Sequence, residues 1–165
     1  MRGDIILVGD EHRHAADIIV DRLIDTIQAS PRRFTVTVAG ESGSGKSETG
    51  PARAEALEDR GVHAVVLQQD DYYVLPPKFN DAARRANIAW VGTTEVKLDL
   101  LDAHLQAAQE GASEITKPLV IYDDNTIVEE KRSYEGIDVV IAEGVYTSLC
   151  DHVDRRVFIA RNRLE

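Results

Sequence analysis

Eight residues near the first third of the chain could do chemistry together: Gly40, Glu41, Ser42, Gly43, Ser44, Gly45, Lys46 and Ser47. Their spacing fits G-x-x-x-x-G-K-S/T, the pattern of a loop that wraps phosphate groups. Glycines at 40, 43 and 45 let the backbone close round an anion without Cβ clashes. Lys46 would reach the β- and γ-phosphates, and the Ser47 hydroxyl would hold Mg²⁺. Such a loop needs a strand before it and a helix after it, so that backbone N–H groups and the helix N-terminus converge on one point. The β-branched run Phe34-Thr35-Val36-Thr37-Val38-Ala39 predicts the strand, and the Ala-, Leu- and Glu-rich stretch from Glu48 to Asp59 predicts the helix. The loop implies that a nucleoside triphosphate binds. It does not say where the γ-phosphate goes. Pro51, after Gly50, is expected to kink that helix.

Acids follow two further apolar runs. His63-Ala64-Val65-Val66-Leu67 precedes Gln68-Gln69-Asp70-Asp71-Tyr72-Tyr73, and Val139-Val140-Ile141-Ala142 precedes Glu143-Gly144. Polar clusters directly after buried strands mark the carboxyl edge of a parallel sheet, where open α/β sheets bind ligands. Phosphoryl transfer asks for a triphosphate cradle, Mg²⁺, an acid that holds the metal and a group that orients or deprotonates the attacking oxygen. Three strand ends carry the candidates: Lys46 and Ser47, then Asp70 and Asp71, then Glu143.

The elements around them alternate between strand and helix. Ile5 to Val8 reads as a sheet-edge strand, followed by a helix to about Ala29 with apolar positions at Ile18, Ile19, Leu23 and Ile27. The segment from Val74 to Asn87, with Pro76-Pro77, reads as a loop holding one helical turn. Thr94 to Glu110 reads as a helix stopped by Gly111, Ile115 to Tyr122 as extended, Asp123 to Thr126 as a turn, Tyr146 to His152 as short and helical, and Arg156 to Ala160 as the last strand. This order predicts an α/β domain: a mostly parallel sheet with helices on both faces.

Composition narrows the partners. The 165 residues suit one domain, and 43% hydrophobic with 29% charged residues describes a globular chain. The formal net charge of −10 argues against a nucleic-acid backbone as ligand. The apolar runs are too short to span a bilayer, and the amino terminus lacks a signal-peptide layout, so a cytoplasmic place and no membrane are expected. The lone Cys150 is expected as a small apolar filler. His12 and His14, two residues apart, have the wrong spacing for a metal site on one helix face.

The ordered set of Gly40–Ser47, Gln69-Asp70-Asp71-Tyr72-Tyr73, Pro118 to Asp123 and Val140-Ile141-Ala142-Glu143-Gly144 resembles the uridine kinase and phosphoribulokinase group of P-loop kinases. The resemblance covers roughly residues 34 to 160. It implies a fold of the P-loop nucleoside triphosphate hydrolase type, nucleoside-kinase-like, and an ATP- and Mg²⁺-dependent transfer to a hydroxyl of a small molecule. It places the proton-accepting base on Asp70, an acceptor-pocket wall on Tyr73 and the Mg²⁺-holding acid on Glu143. Asp71, Trp90 and Tyr122 are further acceptor-site candidates. For Asp71 a solvated neighbour, and for Trp90 core packing, are equally open readings.

Two departures stand out. Where pyrimidine nucleoside kinases carry an Asn-Phe-Asp-His-Pro-like stretch, this chain reads Asn87-Ile88-Ala89-Trp90-Val91. Where they carry Thr-His-x-Arg, it reads Thr126-Ile127-Val128-Glu129. A different nucleoside or a sugar therefore fits better than uridine as acceptor. Such kinases also continue into an Arg-rich lid and a final strand, for which only Arg161 and Arg163 stand here. The rival readings are an ATP-binding module without transfer activity and a slow nucleotide hydrolase. Residues 1–30 are expected as an extension of the single domain, either edge strand with covering helix or the contact of a homo-oligomer.

Overall fold

The computed structural model describes residues 1–2, 9–41 and 46–160. Four strands form a wholly parallel sheet: β1 (Phe34–Gly40), β2 (Ala64–Gln68), β5 (Val139–Glu143) and β6 (Arg155–Ile159), ordered β2-β5-β1-β6. Between β2 and β5 in sequence lies a separate antiparallel hairpin of β3 (Glu114–Ile121) and β4 (Thr126–Ser133). The helices are α1 (Asp10–Gln28), α2 (Lys46–Glu58), α3 (Pro77–Ala86) and α4 (Leu98–Gln109).

Strand β5 shows how the layers are assigned. All five of its residues are buried, as expected for a parallel strand covered on both faces. Side chains alternate along a strand. Val139 and Ile141 join Phe34, Val36 and Val38 of β1 in the core beneath α1 and α2, with Val20, Ile27, Ala56 and Leu57. Val140 and Ala142 join Leu67, Leu101 and Leu105 in the core beneath α4. Helices therefore cover both faces. The other face of β1 carries Thr35 and Thr37: the Thr35 hydroxyl donates to the His152 carbonyl at 2.9 Å and accepts from Gln109 of α4 at 2.8 Å.

Three expectations are corrected. Residues 77–86 form a ten-residue helix, not a loop with one turn. Pro77 occupies its first turn, where no N–H is needed, so the proline starts the helix instead of breaking it. The helix at 94–110 begins only at Leu98: Thr93–Glu95 is a 3₁₀ turn, held short because Glu95 is drawn into a buried ion pair and Val96 bridges to Tyr73. Thr126–Ser133 is a full strand, which its four charged residues concealed. Helix α2 spans Gly50 and Pro51, which fall in its first two turns. The strand predicted at Ile5 to Val8 and the arginines Arg161 and Arg163 lie outside the described residues. Cys150 is buried, and burial pushes its thiol up to about 12, as befits a filler.

Two carboxylates lock the amino edge of the sheet. Asp154 receives both terminal nitrogens of Arg32 at 2.9 Å and the Thr35 N–H at 2.9 Å. Asp102 receives the N–H groups of Asp151 and His152 and the His152 ring. Burial pushes both carboxyls up, but these donors outweigh it and hold both below the ordinary carboxylate value. A group depressed in the folded state stabilises above its unfolded value and loses that contribution as pH falls through the folded one. The melting temperature is therefore expected to hold steady down to about pH 5 and to drop below about pH 4. The Asp154→Asn variant should melt lower at neutral pH and show a shallower acid limb, as followed by circular dichroism.

Candidate active site

The parallel register brings three strand ends into one row. Glu143 pairs with Val38 of β1 on one side and Gln68 of β2 on the other. The loop after β1, the turn after β2 and the acid closing β5 thus share the carboxyl edge. Gly40 ends β1, buried, and Glu41 follows it, exposed. Ser42, Gly43, Ser44 and Gly45 lie outside the described residues. Lys46 and Ser47 open α2, which places the first turn of that helix at this edge; their side chains also lie outside what is described.

The Gln-Asp and Glu-Gly pairs are one interlocked unit. The Gln69 side chain lies directly over Gly144 and accepts the Tyr146 N–H at 2.7 Å. A Cβ on Gly144 would stand 2.2 Å from the Gln69 Cβ and 2.6 Å from its Oε1. Glycine is required at 144 for that close approach, and it fixes Gln69, Asp70 and Glu143 relative to one another. The Gly144→Ala substitution should cost about 1–3 kcal/mol by overpacking and should also lower turnover, because the turn that carries Asp70 must move. Denaturant melts with parallel rate measurements check both effects.

The turn itself is a short 3₁₀ helix, Gln69–Tyr72. With three residues per turn, positions three apart share a side. Asp70 and Tyr73 accordingly both face a cavity of about 380 Å³, lined also by Lys78, Asn80, Arg84 and Tyr122. Tyr72 turns instead into the core, its hydroxyl 2.9 Å from His104 Nδ1. Asp71 turns the third way. It is 3% exposed, 2.9 Å from Lys117 Nζ, and accepts the Val120 N–H at 3.1 Å, with the Met1 amino group also at 3.1 Å. Asp71 is thus the anchor that ties the turn to β3, and it is not among the residues lining the cavity.

Helix α3, unread in the sequence, builds the far wall. Arg84 donates from Nε and Nη2 to the two oxygens of Glu95 at 2.6 and 2.9 Å, and from Nη2 to the Tyr73 hydroxyl at 3.3 Å. Its guanidinium lies 5.6 Å from the Tyr73 ring centroid. Asn80 Nδ2 donates to Glu95 at 3.0 Å, and Trp90 Nε1 donates to Asn80 Oδ1 at 2.8 Å. Burial pushes the Glu95 carboxyl up, but Arg84 and Asn80 outweigh it and hold it low; burial pushes the Tyr73 phenol up to about 12. Tyr73 is therefore a neutral wall, held in orientation by Arg84. Trp90 braces Asn80 from behind and does not itself line the cavity.

Sequence reasoning brought Asp70, Tyr73 and Tyr122 to one cavity and Glu143 to the same edge. It missed Asn80, Arg84 and Glu95. The spacing of Asn80 and Arg84, four apart on one helix face, was the available signal once residues 77–86 are read as helical. Among the described residues no three histidines, cysteines or acids converge on a metal site. Glu143 is 4% exposed at the carboxyl edge.

A 27%-identical relative over 130 residues is the uridine kinase of Leuconostoc citreum, covering 76% of this chain and 61% of that protein. The bifunctional alpha-galactosidase/sucrose kinase of Mediterraneibacter gnavus is 29% identical over 139 residues, 77% of this chain and 15% of that one. The chain thus spans about three fifths of the length of the uridine kinase it matches. Among solved structures, a possible uridine kinase from Bacillus stearothermophilus superposes with a TM-score of 0.67 at 19% identity, over 88% of this chain and 81% of that one. The model of the phosphoribulokinase/uridine kinase family matches residues 35–161, and the chain belongs to that family.

Proposed function

We propose that this domain transfers the γ-phosphate of ATP, with Mg²⁺, to a hydroxyl of a small nucleoside- or sugar-like acceptor. The observation that carries the reading is the placement of Asp70: half-buried, facing a cavity of about 380 Å³, at the same sheet edge as Glu143 and the start of α2. In this reading the loop Gly40–Ser47 holds the triphosphate and Lys46 neutralises it. Ser47 and Glu143 hold the metal, which supplies charge neutralisation of the phosphates when bound. Asp70 accepts the acceptor hydroxyl's proton. Tyr73 and Tyr122 offer aromatic faces to the acceptor, while Arg84 keeps Tyr73 in place. The sequence departures at Ala89 and Glu129 point away from uridine itself.

The test follows ADP release with Mg-ATP across uridine, other nucleosides, sucrose and monosaccharides, with Lys46→Ala as the blank. Acceptor-dependent release that the variant lacks supports the reading. Tight ATP binding with no acceptor dependence would favour a binding module, and acceptor-independent phosphate release a hydrolase.

A further inference from the structure

The cavity of about 380 Å³ takes its walls from three elements: Asp70 and Tyr73 from the turn after β2, Lys78, Asn80 and Arg84 from α3, and Tyr122 from the tip of the β3–β4 hairpin. Two of the seams between these elements are fastened by charged side chains. Arg84 joins α3 to the Tyr73 hydroxyl, and Asp71 joins the turn to β3 through Lys117 and the Val120 N–H. The third seam, between the hairpin tip and α3, rests on one neutral side chain.

That side chain is Asn125. Residues 122–125 make the turn between β3 and β4. The Asn125 N–H donates to the Tyr122 carbonyl at 3.1 Å and closes the turn. Its φ of +51° is the only positive one at a non-glycine among the described residues, in a region that asparagine enters more readily than most side chains. From there its Oδ1 accepts the Lys78 N–H at 2.7 Å. Among the described residues no other hydrogen bond or ion pair joins the hairpin to α3. Helix α3 cannot supply such an acceptor itself. The first N–H groups of a helix have no partner within it, and Pro76 and Pro77, which stand where a cap would, carry no side-chain acceptor. Asn125 therefore caps α3 from 47 residues away. Tyr122 is 51% exposed and belongs to neither hydrophobic core, so its place depends on the turn that Asn125 closes.

We propose that Asn125 is a positioning residue for the acceptor: by capping α3 from the hairpin tip, it holds the Tyr122 wall of the cavity in register with the wall built by Asn80 and Arg84. This rests on the reading of the cavity as the acceptor site. Asn125 is not among the residues that line the cavity, so it acts on the acceptor through Tyr122 and α3 alone. Its loss should weaken acceptor binding and spare both ATP binding and the transfer step.

Two variants separate the cap from the backbone. Asn125→Gly keeps the positive φ without strain and removes the cap. Asn125→Asp keeps an accepting oxygen and adds a charge that suits a helix N-terminus. The first arm measures acceptor KM, kcat and ATP affinity with each nucleoside and sugar of the panel as acceptor. For each compound that the wild type phosphorylates, Asn125→Gly should raise KM about three- to tenfold, the size of one lost hydrogen bond. Its kcat and ATP affinity should stay unchanged, and Asn125→Asp should restore KM. A structural role alone would lower the active fraction, and with it kcat, at an unaltered KM. The second arm needs no acceptor. Spin labels at Asp124→Cys and Arg85→Cys, in a Cys150→Ala background, report the distance across the seam. One narrow distance is expected with Asn125 or Asn125→Asp, and a broad distribution with Asn125→Gly. An unchanged KM in Asn125→Gly, a fall in kcat at unchanged KM, a loss that Asn125→Asp does not restore, or a distance that stays narrow in Asn125→Gly overturns the proposal. A seam that broadens in a protein that phosphorylates no compound of the panel overturns instead the reading of the cavity as the acceptor site, and the proposal with it.

Discussion

Replacing Asp70 with Asn is expected to reduce acceptor phosphorylation about 10²- to 10⁴-fold, the range that a positioned base contributes. Asparagine keeps the size and the hydrogen-bonding capacity of the side chain and removes only its ability to take a proton. Asp70 is half-buried and faces the cavity, where an asparagine fits in the same shape. ATP affinity and melting temperature should therefore match the wild type. The contrast with Asp71, one residue on, is the sharper form of the prediction. Asp71→Asn removes a buried charge from the anchor with Lys117 and should lower stability first and turnover second. Single-turnover rates beside equilibrium ATP binding distinguish the two variants. Full turnover in Asp70→Asn would take Asp70 out of the mechanism.

The Lys117→Met variant should carry the largest stability loss. Lys117 is 4% exposed. Its ammonium donates to Asp71 Oδ2 at 2.9 Å and to the Pro118 carbonyl at 2.8 Å, approaches Glu130 at 3.4 Å, and lies 5.9 Å from the Tyr72 ring centroid. Methionine fills a similar volume but leaves the buried Asp71 carboxylate with the Val120 N–H and the Met1 amino group alone. Breaking one side of such a pair costs about 3–5 kcal/mol. Removing both charges in Lys117→Met/Asp71→Asn should recover much of that loss, because the stranded charge disappears with its partner. Urea denaturation of the four proteins closes the cycle. Turnover should fall in the single variant too, since Asp71 holds the turn that aims Asp70.

Much of this architecture is written locally. The run 139–142 is apolar without a break, and 34–39 is interrupted only by the β-branched Thr35 and Thr37, because both faces of each strand are covered, and that pattern needs no partner to be read. The acids at 70 and 143 stand out because each interrupts such a run at its end. Helix α3 was hidden for a physical reason: it starts at a Pro76-Pro77 pair that reads as loop, and its apolar positions, Phe79, Ala82, Ala83 and Ala86, are three alanines and one exposed phenylalanine, none of them buried. Asn80, its one buried residue, bonds to a glutamate fifteen residues on. The Arg84–Glu95 pair is likewise tertiary, and no local spacing announces it. Strand β4 stayed hidden because it is mostly exposed and charged on a two-stranded hairpin. Asp71 shows the limit most plainly. Beside Asp70 it looked like a twin, and only the packing of β3 against the turn gives it a different task.

The central claim is that the γ-phosphate leaves ATP for a carbon-borne hydroxyl held beside Asp70. The most direct measurement supplies ATP labelled in the γ-phosphate with Mg²⁺ and the panel of nucleosides and sugars, and asks where the label ends. The account predicts label in an organic phosphate of at least one acceptor, absent when Asp70 is Asn. Label found only in inorganic phosphate, or retained in ATP across every nucleoside and sugar supplied, would contradict it.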